Sequence, residues 1–403
     1  RLAVGTGYRW NEFRDVNRIT GTDITAGSER ARFAYAEANL PLVGPGQGWR
    51  GVQRLSLSAA ARHEDYSSFG GVTTPKLGVV LGPSDDVTLK ASWGRSFKAP
   101  TLFERNYAAT AFLFPPGSFG GTGFPAGTSV LVLDGGNADL EPERATTRSL
   151  SLAFHPTAVP GLEAELTWFD VDYRNRVVQP IANASQALAD SVYAPFVQLA
   201  PTLQQQEDVI AAAEAFSNFT GAPYDPANVV AIVYTQYANV AQQRIRGFDL
   251  STAYRMNLAG GALTLRGAAS WLDSTQQTLP DQPANDLAGI LFNPPRLSGR
   301  LGASWQQGGL TASVFGNHRG GVTNRLDGVK SGSFNTFDAT VRYETADRGD
   351  AWSGLAFTLS VDNVFDRDPP FYQVVQPIYV APYDSTNYSP IGRFVSLSVS
   401  KQW

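Results

Sequence analysis

The 403-residue chain has no cysteine, a single methionine and three histidines. Without thiols there is no disulfide framework and no thiolate metal site, a composition compatible with passage through an oxidising periplasm. Charge is scarce as well. Asp, Glu, Lys and Arg make up 17% of the residues, against roughly 25% in soluble globular chains. The net charge of −4 offers nothing to a nucleic-acid partner. No stretch approaches the ~18 apolar residues that a membrane-spanning helix requires, so any residence in a bilayer falls to strands. The chain opens at Arg1 with neither an initiator methionine nor a signal peptide, and we read it as a piece of a longer or processed protein.

What the sequence does have is a period of two. In the segment 393–403, Val395, Leu397, Val399 and Trp403 share one parity, and Ser396, Ser398, Ser400 and Gln402 share the other. A strand sends alternate side chains to opposite faces. The same pattern sets Val87, Leu89, Ala91 and Trp93 against Thr88, Lys90 and Ser92, and Leu355, Phe357, Leu359 and Val361 against Thr358, Ser360 and Asp362. Lys90, Arg266, Asp338 and Arg342 fall on the polar parity, where lumenal water can solvate them. The parity slips in the first strands and near Phe169. Fourteen strands are predicted: 1–10, 28–41, 50–64, 71–81, 86–97, 143–155, 161–175, 232–256, 261–273, 296–306, 310–319, 334–345, 354–364 and 390–403. An antiparallel transmembrane β-barrel has this signature of roughly ten-residue alternating segments, apolar outward and polar inward.

Connection lengths test that reading independently. Connections 11–27, 65–70, 98–142, 176–231, 274–295, 320–333 and 365–389 alternate with the generally shorter 42–49, 82–85, 156–160, 257–260, 307–309 and 346–353. Short periplasmic turns facing long extracellular loops are expected of outer-membrane barrels. The loop 176–231 should hold a helix. Thr202 and Gln205 have capping-box spacing, and Val209, Ile210, Ala213 and Phe216 follow at helical intervals. The simplest role for that helix is packing the loop against its neighbours.

Several segments then resemble a known family. Phe97-Lys98-Ala99-Pro100 within 89–104 resembles the "F-R-A-P" signature of TonB-dependent outer-membrane receptors. Asn137-Ala138-Asp139-Leu140-Glu141-Pro142-Glu143 resembles their "N-P-x-L-x-P-E". Tyr237-Ala238-Asn239-Val240 with Arg246-Gly247-Phe248-Asp249, Val361-Asp362-Asn363-Val364-Phe365-Asp366 and Gly392-Arg393 follow in the family's order across 86–403. Asn363, Asp366, Pro100 and Pro142 sit at strand boundaries, where they serve the backbone. The resemblance implies 22 strands around a plugged lumen, so that residues 1–403 are one partial barrel domain. Some eight strands, the plug and the TonB-contacting box would then lie outside this chain. It further implies import of a bulky scarce nutrient, most simply a ferric siderophore, driven by TonB through the plug. The partners implied are outer-membrane lipid and lipopolysaccharide, the TonB complex, the iron chelate, and the barrel assembly machinery, which would read the final strand ending at Trp403.

Residues placed to meet cargo are Glu104, Arg105, Tyr107, Phe112 and Phe114, with Phe119, in the 98–142 loop, and Phe371, Tyr372, Tyr379 and Tyr383, with Tyr388, in the 365–389 loop. Aromatic faces with a few charges suit bulky, partly planar ligands, although rim aromatics also form interfacial girdles. The three histidines, His63, His155 and His318, lack metal-ligand spacing, and none lies between Pro100 and Asn137, where haem receptors of this family tend to carry one. We therefore expect no metal centre, no cofactor and no enzyme, since no nucleophile–base motif stands out either. The competing reading is a passive porin-like channel or a surface adhesin built as a free-standing barrel.

Overall fold

A computed structural model describes all residues except 45, 48, 50, 182–183, 326–327, 347–351, 373–381 and 403. Tyr379 and Trp403 therefore lie outside the described residues. The chain begins with β1 (Leu2–Val16), β2 (Asp23–Val43), β3 (Arg54–Tyr66), β4 (Gly70–Gly82) and β5 (Val87–Lys98). It then departs through α1 (Leu102–Asn106), β6 (Thr110–Phe114) and β7 (Ser129–Asp134). It returns as β8 (Glu143–Phe154) and β9 (Leu162–Val178). A second departure holds β10 (Val197–Leu199), α2 (Leu203–Ala212), β11 (Ala215–Asn218) and β12 (Val229–Tyr234). The chain rejoins with β13 (Ala238–Leu258) and β14 (Gly261–Gln277), on which β15 (Asn285–Asp286) forms a two-residue edge. The remaining strands are β16 (Leu297–Gln307), β17 (Leu310–Arg319), β18 (Phe334–Glu344), β19 (Leu355–Asp362) and β20 (Phe394–Lys401).

Fourteen of these strands form one sheet in the order β1-β2-β3-β4-β5-β8-β9-β13-β14-β16-β17-β18-β19-β20. Every neighbouring pair is antiparallel. Among the described residues β1 and β20 do not pair with one another, so the sheet is open. All fourteen predicted wall strands are present. Their register explains the period of two. One lateral row runs Leu40, Leu57, Val79, Ala91, Leu150, Trp168, Phe248, Trp271, Leu297. On the opposite face a row runs Lys90, Ser151, Thr167, Asp249, Ser270, Ser298, Arg319. Cross-strand bonds knit this polar face, including Ser92–Ser149 at 2.7 Å, Ser151–Thr167 at 2.8 Å and the Lys90–Glu165 ion pair at 2.9 Å. A sheet whose leucines and tryptophans stay uncovered while its serines bond each other is built for lipid on the apolar side.

A charge introduced into the apolar row should therefore be costly, and one position along it should not. Leu166→Arg is expected to destabilise the folded wall by about 2–4 kcal/mol, whereas Thr167→Arg, on the polar face, should change stability by under about 1 kcal/mol. Urea midpoints of the complete protein, read by the heat-sensitive gel mobility of folded barrels, check the contrast. Equal losses would reverse the assignment of the faces.

Two expectations about the wall strands and their connections need correction. The connection predicted over 11–27 shrinks to 17–22, because β1 and β2 keep pairing from Leu2↔Ala38 to Val16↔Asp23. The alternation of lengths is thus clear only later in the chain. There, 99–142, 179–237, 278–296, 320–333 and 363–393 leave one end of the sheet, and 83–86, 155–161, 259–260 and 308–309 turn at the other. The strand predicted over 232–256 is in fact two elements. Residues Val229–Tyr234 belong to a second sheet, ordered β10-β12-β7-β6-β11 and made from both long loops.

That second sheet is where the buried core lies. β7 and β12 run parallel at its centre, and both read as unbroken apolar runs because both of their faces are covered. Val130, Val132, Ala231 and Val233 pack with Phe119, Ile181, Tyr193 and Leu279 on one side. Leu131, Leu133 and Ile232 pack with Leu113 and Val209 on the other. A bulge between Val229 and Ala231 puts Val229 on the second side with Ile232. The predicted helix is α2. The Thr202 hydroxyl accepts the Gln205 N–H at 3.3 Å, and the Gln205 side chain accepts the Thr202 N–H at 2.9 Å. It ends before Phe216, which lies in β11 instead. Val209 anchors it to the loop core, the packing role expected of it.

Candidate binding site at the loop end of the sheet

The polar face, followed toward the long loops, ends in a rim of charged and aromatic groups. Lys98, the last residue of β5, lies directly opposite Glu143, the first of β8. Its ammonium donates to the Glu143 carboxylate at 2.9 Å and approaches Glu104 at 3.5 Å. Glu143 is 2% exposed. It also accepts the Tyr173 hydroxyl and, at 3.2 Å, the Val177 N–H. This buried carboxylate is satisfied on every side, as burial of a charge requires.

Next to it, Asn175 adopts a left-handed φ of 54°, which asparagine tolerates better than most residues. The ladder skips it: Arg174 aligns with Arg144 on one side, and Arg176 with Ala241 on the other. Such an extra residue re-aims the side chain that follows. Arg176 consequently lies over the Tyr173 ring at 5.2 Å and donates to Gln243. Its Nε is covered and has no acceptor among the described residues.

The family-like motifs clasp this rim from behind. The Asn137 side chain donates to the Tyr237 carbonyl at 2.9 Å. Asn239 accepts the Glu141 N–H and donates to the carbonyls of Glu141 and Asn175, at 2.8, 2.8 and 2.9 Å. At the other end of the sequence, Asn363 is bonded to Arg367 through both of its side-chain groups. Asp366 accepts the Arg393 N–H at 2.7 Å and so fixes the start of β20.

The residues singled out from the sequence are distributed as follows. Glu104 closes a capping box with Thr101 on α1. The Arg105 guanidinium donates to the carbonyls of Leu140 at 2.8 Å and Ser68 at 3.2 Å, tying the loop to the β3–β4 turn. Burial pulls its pKa below the usual guanidinium range. Tyr107 stacks on Phe103 at 5.1 Å. Phe112 and Phe114 form an aromatic cluster with Phe219, and Phe119 joins it through Phe114. Phe371 is 73% exposed and bridges through its backbone to Tyr383. Tyr372 meets Phe292 edge-on at 6.0 Å, with its hydroxyl buried and without a partner among the described residues; burial raises its pKa. Tyr388 is buried and donates to the Gly320 carbonyl at 2.9 Å. Lys98, Glu143, Tyr173, Arg176 and Gln243 were not singled out. Lys98, Glu143, Tyr173 and Gln243 continue the polar parity to the strand ends, which was the available signal, but the bulge that turns Arg176 onto that face left none.

Similarity to known proteins agrees with this architecture. Residues 1–364 match the family described as "TonB dependent receptor-like, beta-barrel". A probable TonB-dependent siderophore receptor, PirA of Acinetobacter baumannii, is 29% identical over 192 residues, covering 44% of this chain and 23% of that protein. The ferrienterobactin receptor of Escherichia coli K12 is 28% identical over 184 residues, with the same coverage. The crystal structure of A. baumannii PirA superposes on 99% of this chain with a TM-score of 0.63 at 17% identity. The chain spans about half of that receptor (51%). This protein is an outer-membrane β-barrel chain and belongs to the TonB-dependent receptor family.

Proposed function

We propose that the sheet is the loop-bearing wall of a receptor that captures a ferric siderophore outside the cell and imports it through a plug coupled to TonB. Two relatives are named as siderophore or ferrienterobactin receptors, and the rim has the chemistry such a cargo needs. The observation that carries the reading is the Arg176 guanidinium, raised onto the polar face by the Asn175 bulge and partly exposed there. A ferric chelate with anionic oxygens would meet its accessible N–H groups by charge-assisted hydrogen bonding. Phe371, Tyr372, Tyr383, Glu104 and Tyr107 stand as the aromatic and acidic groups around the cargo; Tyr379, expected to join them, lies outside the described residues. Arg105, Phe112 and Phe114 act by holding the loops in place.

The test is titration of the complete receptor with a ferric catecholate. Arg176→Ala should weaken binding by about 1.5–3 kcal/mol, roughly ten- to hundredfold in Kd. Steady single-channel conductance, with no saturable binding of any ferric chelate, would favour the passive-pore reading and end this one.

A further inference from the structure

By strand parity Arg176 should not face the cargo at all. Leu166, Trp168, Asp170, Asp172 and Arg174 alternate onto the outer face of β9, and an unbroken strand would send Arg176 there as well. The Asn175 bulge moves it by one position, and a one-residue slip exchanges the faces. Arg176 is thereby set beside Ala241, on the side of Tyr173 and Gln243. Asn175 itself has no partner in either ladder, and the Asn239 side chain supplies what the ladders do not. One amide hydrogen goes to the Asn175 carbonyl at 2.9 Å. The other goes to the Glu141 carbonyl, and the amide oxygen takes the Glu141 N–H, both at 2.8 Å. With both donors and the oxygen engaged, the amide is fixed in orientation. On the far side of Arg176, the Val177 N–H is held by Glu143 at 3.2 Å. The peptides before and after Arg176 are thus gripped from one short segment, 141–143. That segment is a firm anchor, because the stretch leading to it is stitched to the start of β13. Thr235 donates to Asp134 at 2.7 Å, Gln236 to the Gly136 carbonyl at 2.6 Å and Asn137 to the Tyr237 carbonyl at 2.9 Å.

We propose that Asn239 is a positioning residue for cargo capture: it latches β9 in the bulged register and so keeps the Arg176 guanidinium on the polar face. Two registers compete at this strand end. In the regular one Asn175 is extended and paired, and Arg176 joins Asp172 and Arg174 on the outer face. In the bulged one a non-glycine residue is held at positive φ and ladder bonds are forgone, both of which are unfavourable. The bonds of Asn239 offset that cost, and they exist only while the Asn175 carbonyl is turned out of the ladder. Cargo meets Arg176 in the bulged register alone, so latch and cargo favour the same state and each strengthens the other. The role rests on Arg176 meeting the cargo, as proposed above, and gives Asn239 itself no contact with it.

The experiment is titration of the complete receptor with a ferric catecholate at low and high salt. Asn239→Ala should raise Kd at least tenfold, as Arg176→Ala does. The Arg176→Ala/Asn239→Ala pair should bind no more weakly than Arg176→Ala alone, because both changes remove the same contact. Asn239→Ala should also lose the part of the salt dependence that Arg176→Ala loses, which a merely loosened loop would keep. Asn175→Gly, which adopts a left-handed φ freely, should bind as the wild type does. Asn175→Val, which resists that φ, should bind like Asn239→Ala. Heat-sensitive gel mobility confirms that each variant is folded. Asn239→Asp, which keeps the side chain's size and its acceptor for Glu141 but loses both donors, stands in for Asn239→Ala should the latter not fold. Additive losses in the pair, or wild-type binding by Asn239→Ala where Arg176→Ala is impaired, overturn the latch and leave the import reading standing. Unchanged binding by Arg176→Ala overturns both.

Discussion

Ile232→Asp should loosen both long loops together while leaving the barrel wall folded. Ile232 is fully buried at the centre of the loop sheet, packed with Leu131 and Leu133 from the other loop and Val209 from α2. A carboxylate there has no partner, and burying one costs several kcal/mol. Even Ile232→Ala should cost about 2–5 kcal/mol through lost transfer energy and the cavity left behind. The strands joined across this core come from residues 99–142 and 179–237, and β12 pairs with β7 along its length. Hydrogen exchange in the complete receptor should therefore accelerate at 110–114 and 129–134 as much as at 229–234, with the wall strands unchanged. Exchange confined to 179–237 would show that the loops move separately. Cargo binding should fall with the loop sheet, since α1 and the Lys98 rim are anchored to the same segment.

The wall was legible because lipid and lumen impose opposite demands on alternate residues, and the fourteen strands carry that alternation in the sequence. The loop sheet was not, for the inverse reason. Residues 129–134 and 229–234 are covered on both faces, so they carry no alternation to read. The second run merged with β13 across only Thr235, Gln236 and Tyr237. The parity slip noticed near Phe169 is real. Phe169 is on the polar face with Thr167, opposite Gly247, where a β-carbon would sit 2.8 Å from the ring. Above that level the apolar face itself turns charged, with Arg148, Asp170 and Arg246 in one row. Two-state alternation breaks down where the outer wall leaves the hydrocarbon. The binding rim was half legible: the loop aromatics stand out by composition, but whether a ring faces cargo or packs the loop depends on contacts with segments a hundred residues away, as Phe219 shows for Phe112 and Phe114.

The same outer row supports the second large effect. Asp170 is 2% exposed and sits between two arginines, with Arg244 at 2.8 and 3.0 Å and Arg148 at 3.4 Å. Both guanidiniums are about half exposed (56% and 52%), so the buried partner, rather than its cations, sets the energy. Removing Arg244 alone as Arg244→Met leaves the carboxylate one cation, and the expected loss is about 1–3 kcal/mol. Removing both strands a bare charge beneath the surface, for which about 3–5 kcal/mol is typical. Adding Asp170→Leu to the double variant should then recover most of that loss, because a buried ion cluster replaced by apolar groups of similar size is often neutral. Urea midpoints of the four proteins decide it. Recovery shows that the arginines stabilise the wall by neutralising Asp170. If the triple variant stays as unstable as the double, the arginines act through their own packing on the wall, and Asp170 is a bystander to it.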